Sequence, residues 1–152
     1  RDIERLFVAG LLQNFGELIV AKVSPELAKQ CEAYSADILP WQLQQKVLGF
    51  TYTEVSAELL KIWQIPEKII LPIRHYNNAQ NIDINKDVKV MYLASRLALV
   101  ECHPEIFDYD DNVDAALCQS LNFSSGDLEA AANFATIETD NILNIMNAKF
   151  YG

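Results

Sequence analysis

With 152 residues, 51% of them hydrophobic, the chain is long enough for one domain with a substantial core and too short for two ordinary ones. Its formal charge of −9, with no Lys/Arg cluster to override it, disfavours nonspecific attraction to a phosphate backbone, so direct nucleic-acid binding is not expected. A small nucleotide pocket is not excluded by net charge alone.

The apolar positions recur with helical spacing. Residues 3–22 are apolar apart from a few positions that include Gln13, Asn14 and Glu17, which predicts one largely buried helix. Ser24-Pro25-Glu26 reads as a cap, a first-turn proline and a well-placed acid, opening a second helix to about Tyr34. Pro40 breaks the chain, and 41–48 suit a short helix ending near Gly49. Thr51 and Glu54 have capping-box spacing, and the helix they open carries Val55, Leu59, Ile62 and Trp63 on one predicted core face. Pro66 opens the next helix, which runs to His75 and Tyr76 and is expected to bend or restart at Pro72.

A polar loop is expected over 77–85. Asn85 and Asp87 then start a long helix with Val88, Met91, Tyr92, Leu99 and Cys102 on its apolar face, stopped by His103-Pro104. The acidic stretch Asp108 to Asp114 lacks the glycine and terminal glutamate of a calcium loop and reads as a solvated, helix-capping loop at the entrance to the next helix. After Ser124-Ser-Gly-Asp127, residues Leu128, Ala131, Ala135, Ile142 and Ile145 describe a final helix. The fold class is therefore all-α, one assembly of about seven or eight helices.

Cys31, Cys102 and Cys118 have no CxxC spacing and are odd in number, so buried reduced thiols and a cytoplasmic location are expected. No membrane partner is expected, because no apolar run is read as approaching the roughly 20 residues of a bilayer span. The start at Arg1 rather than Met suggests a piece of a longer protein. Trp63 is assigned to the core, and Trp41, outside any clear periodic face, to an exposed or interdomain position. Glu17 and Glu54 are not read as a catalytic pair, and no glycine-rich phosphate loop or nucleophile turn is present.

Four linked segments, Leu6-Phe-Val-Ala-Gly-Leu-Leu-Gln-Asn-Phe-Gly16-Glu-Leu, Leu48-Gly-Phe-Thr-Tyr-Thr-Glu54-Val, Leu59-Leu-Lys-Ile-Trp63-Gln-Ile-Pro66 and Ile73-Arg-His75-Tyr, resemble the HDOD family, a signalling-associated branch of the HD superfamily of metal-dependent phosphohydrolases. The resemblance is strong from Ile3 to Ala79. It implies a compact multi-helix HD-like bundle representing the later part of an HDOD domain, with the family's N-terminal helices absent from this chain.

Where HD hydrolases carry adjacent His and Asp, this chain has Gln13 and Asn14, and Tyr52 stands near a position where metal-binding relatives place another histidine. Two amides replace neither the charge nor the imidazole of that pair. The resemblance thus implies a noncatalytic signal-transduction domain, of the kind found in bacterial response regulators. Its partner would be another protein or an attached sensor or receiver domain, and it would need no cofactor and bind no metal. Gln13, Asn14, Tyr52, His75 and Tyr76 are the candidate contacts of a degenerate cleft. Three alternatives stay open: a phosphohydrolase completed by residues outside this chain, a module binding a small nucleotide ligand in the emptied cleft, and a helical scaffold or dimerisation domain with no pocket function.

Overall fold

The computed structural model describes residues 2–78 and 85–150. Among these it contains ten helices and no strand: α1 (Asp2–Leu12), α2 (Phe15–Val23), α3 (Pro25–Gln30), α4 (Pro40–Leu48), α5 (Tyr52–Ile62), α6 (Glu67–His75), α7 (Lys86–Cys102), α8 (Tyr109–Asn112), α9 (Ala115–Ser120) and α10 (Ser125–Phe150). Most of the loop expected at 77–85 lies outside the described residues.

The single helix expected over 3–22 is two. α1 ends at Leu12, and α2 starts at Phe15 after Asn14, whose φ of −90° and ψ of 1° leave the helical region. The cause is a competing set of hydrogen bonds. The Gln13 carbonyl accepts from the Ser56 hydroxyl at 2.5 Å, and the Gly16 N–H donates to the same Oγ at 2.7 Å. Backbone groups that would serve a continuous ladder are used instead to dock on α5.

That docking is close. A Cβ on Gly16 would lie 1.9 Å from the Tyr52 carbonyl oxygen and 3.0 Å from the Ser56 nitrogen, so α2 and α5 meet backbone to backbone. The contact also turns α5. Its buried residues are Thr53, Ser56, Ala57 and Leu60, not the expected Val55, Leu59, Ile62 and Trp63; Ile62 is 74% and Trp63 51% exposed. The small side chains face inward because only they allow so short an interhelical distance. Trp63 follows the last helical residue and rests its ring edge-on against Phe15, centroids 5.4 Å apart.

The caps follow the sequence more closely. Thr51 and Glu54 form the capping box, with Thr51 N donating to Glu54 Oε2 at 2.7 Å and Glu54 N to Thr51 Oγ1 at 3.3 Å. Asn85 caps α7 through Val88 N, and Gly49 ends α4 at φ 80°. The acidic stretch expected as a solvated loop is itself a short helix, α8, capped by Asp108, and Asp114 caps α9 after it. α6 runs unbroken through Pro72 rather than restarting there. α3 stops at Gln30, short of Tyr34, whose ring turns back to stack on Phe107.

One core, built from Ala9, Ala57, Leu60, Ile70, Ile73, Tyr76 and Met91, joins α1, α5, α6 and α7. A second, of Leu93, Val113, Leu117 and Cys118, packs α7 against the C-terminal half. Arg5 ties α1 to α7 through Asp87, Nε to Oδ2 3.0 Å. Cys31 and Cys118 are buried, whereas Cys102, at the solvent end of α7, is exposed.

The expected burial of the N-terminal helix does not hold for α1, where Ile3, Phe7 and Leu11 are 85%, 67% and 65% exposed. The expected lack of a long apolar run also fails, since the 21-residue stretch Ile3–Val23 contains an 18-residue window of mean hydropathy 1.5. Its halves, at 11 and 9 residues, are about 16 and 14 Å long, against a hydrocarbon core of about 30 Å. α10, about 39 Å long at 26 residues, half-buries Leu128 against the second core. It leaves Ile142 and Ile145 exposed together with Phe134 and Ile137, so the face expected to pack does so only at its start.

Gly16→Ala is expected to destabilise the chain by about 3 kcal/mol or more in urea unfolding, because the new methyl meets backbone that cannot move aside. Gly10→Ala, with nothing within 4 Å of its Cβ, should instead gain up to about 1 kcal/mol from helix propensity.

Candidate functional site

The five residues singled out in the sequence occupy separate environments. Asn14 is exposed and Gln13 half-buried at the α1–α2 break, where the Gln13 backbone, not its side chain, makes the contact to α5. Tyr52 lines a recess of about 300 Å³ with Glu17, Cys31, Tyr34, Gln44 and His103. Burial first, and then a hydrogen-bond contact with Cys31, push its phenol well above the ordinary tyrosine value. His103, the histidine that the sequence pattern set aside, reaches this recess from the C-cap of α7, its Nε2 3.0 Å from the Tyr34 hydroxyl. Tyr76 is in the core, 6% exposed.

His75 faces a different and larger cleft, of about 920 Å³, between α4, α5, α6 and α7. Tyr52 and His75 are therefore not walls of one pocket. Among the described residues no group of three His, Cys, Asp or Glu side chains is placed to hold a metal ion. The donor set that would suit the superfamily's metal is not assembled from these residues.

The large cleft is instead marked by two arginines. Arg96, on α7, is 5% exposed; its guanidinium carbon lies 3.6 Å from the Trp41 ring centroid and 4.6 Å from that of Tyr92. Trp41 is thus an internal platform, not a free aromatic. Burial pushes the Arg96 guanidinium below its ordinary value, and the groups that oppose this are the Tyr92 and Tyr76 phenols, with no carboxylate among them. An arginine stays charged even so.

Stacking on desolvated rings offers about 2 kcal/mol, whereas burying an ion without an opposite charge costs several. The aromatic sandwich offsets only part of that cost. Arg74, on α6, pairs with Glu58 at 2.9 Å, but its buried Nε has no hydrogen-bond partner among the described residues, and neither do Arg96 Nε and Asn77 Oδ1.

The sequence carried a signal for Arg96. It falls four residues after Tyr92 and three before Leu99, on the stripe read as apolar, and a cation at core spacing points to a buried charge. Nothing in spacing could show that Trp41, from α4, would cover it.

Helices packed without sheet around a break-and-dock contact define the class, an all-α HD-like bundle. Residues 1–79 match the HDOD domain family, more than half of the chain, and the chain belongs to that family. It is 30% identical over 74 residues to an uncharacterized protein of Treponema pallidum, a match covering 47% of this chain and 14% of that protein. It also shares its fold with a crystal structure from Marinobacter aquaeolei VT8, provisionally described as a signal transduction protein, with a TM-score of 0.71 and 21% identity over 93% of this chain and 32% of the other. The chain spans less than a third of the length of the first and about a third of the second.

Two outcomes follow from the geometry. Ser56→Ala strands the Gly16 N–H in a buried contact and is expected to cost about 1–3 kcal/mol in chemical denaturation. Arg96→Met exchanges an uncompensated buried charge for an apolar side chain and should leave the unfolding midpoint at low ionic strength equal to or above that of the parent.

Proposed function

We propose that this chain is a noncatalytic HDOD domain acting in a bacterial signal-transduction protein, where it docks another protein or an attached sensor or receiver domain in the cytoplasm. One observation carries the reading. At the positions that the resemblance assigns to the His-Asp pair stand two amides, Gln13 and Asn14, on a helix break committed to Ser56, while Tyr52 and His75 open into different recesses. Metal-assisted phosphoester hydrolysis needs ligands that carry charge or imidazole and converge on one point.

The surface supports docking. Ile3, Phe7 and Leu11, at i, i+4 and i+8 on α1, form an exposed apolar stripe of the sort that marks a protein contact. A signal in the attached domain would then act through the packing of α1 and α2 on α5. Family membership and the signalling description of the Marinobacter protein support the context.

With manganese or iron supplied, the full-length protein is expected to show no turnover of bis-p-nitrophenyl phosphate; tightly bound stoichiometric metal together with turnover would overturn the reading. The double substitution Phe7→Glu, Leu11→Glu should change the stability of this chain by no more than about 0.5 kcal/mol. In the full-length protein it should raise hydrogen exchange across α1 and weaken the signal response. Unchanged exchange and unchanged response would remove α1 as the docking face.

A further inference from the structure

The cleft between α4 and α7 contains a charge without a counter-charge. Arg96 is nine-tenths buried, is held on Trp41, and has an Nε that makes no hydrogen bond among the described residues. Tyr92 takes one hydrogen bond from the guanidinium, which leaves the buried Nε–H, in the guanidinium plane, for a ligand. Arg74 lines the same space, its Nε also buried and unpartnered, as does the Asn77 Oδ1.

From this arrangement we infer that the cleft binds a small organic oxyanion, its phosphate or carboxylate group seated against Arg96 with Arg74 beside it. Paired N–H donors in a fixed fork match the oxygens of either group. The volume, about 920 Å³, accommodates a molecule far larger than a bare ion. Glu58 does not close the site. Its side chain is 61% exposed, so the Arg74–Glu58 pair is a surface contact that an incoming oxyanion can displace. Asn77 Oδ1 offers an acceptor to a hydroxyl or amine on the rest of the ligand. The chain as a whole repels anions, with a net charge of −9, so any retained oxyanion must be held by local contacts.

The test is calorimetric titration of the full-length protein with AMP, citrate and adenosine. Saturable one-to-one binding of AMP, citrate or both is expected, with adenosine silent; which of the two binds assigns the phosphate or carboxylate source. Arg96→Met should weaken that binding by about tenfold or more, and Arg74→Gln by several-fold. Should Arg96→Met fail to fold, Arg96→Lys, which keeps the charge but not the fork, should retain weakened binding while Arg74→Gln still shows its loss. No saturation by either oxyanion up to about 10 mM, the edge of weak specific affinity, would overturn the inference. So would equal affinity for AMP and adenosine, or binding untouched by both the Arg96 and Arg74 substitutions.

Discussion

A single hydroxyl holds the N-terminal half of this molecule in shape. Ser56 Oγ donates to the carbonyl of Gln13 and accepts from the N–H of Gly16, clamping both sides of a helix break onto α5. The clamp works only because residue 16 has no side chain, since any Cβ would overlap the Tyr52 carbonyl. From it follow the division of an apolar run into α1 and α2, the inward turn of Ser56 and Ala57, and the outward turn of Ile62 and Trp63. Tyr52 opens its recess on the cysteine side of α5, whereas His75 meets the other cleft.

That separation bears on chemistry. A metal centre of the superfamily kind requires its ligands to converge, and convergence is a property of backbone placement as much as of residue type. The resemblance puts amides at the pair's positions, and Tyr52 and His75 line different recesses. The large cleft is lined by two arginines, four side-chain amides, the Thr51 and Thr53 hydroxyls and the His75 imidazole, and its two carboxylates are already engaged, Glu54 in a helix cap and Glu58 on Arg74. A site of that composition suits the binding of an oxyanion better than the activation of water.

The apolar surface is distributed unevenly. Two cores meet along α7 and bury its inward residues, yet α1 presents Ile3, Phe7 and Leu11 to solvent, and α10 carries Phe134, Ile137, Ile142 and Ile145 away from the bundle. The buried cores account for the stability of the bundle itself. The exposed residues, left in water, add little to it.

The sequence alone determined the all-α class, the helix starts at Thr51 and Asn85, and the family, because these rest on local chemistry: a side-chain oxygen capping an N–H three residues on, or a motif order along the chain. It also shows neutral amides, Gln13 and Asn14, where the resemblance assigns the His-Asp pair. It did not determine which face of α5 is buried, because hydrophobicity favours Val55 and Leu59 while close approach to Gly16 demands Ser56 and Ala57. Nor did it reveal the break at Gln13–Asn14, whose acceptor and donor partner lies some forty residues away. The Arg96 cleft was hidden for the same reason. Its cation comes from α7, its platform from α4 and its second arginine from α6, and only the packing of those helices places them around one space.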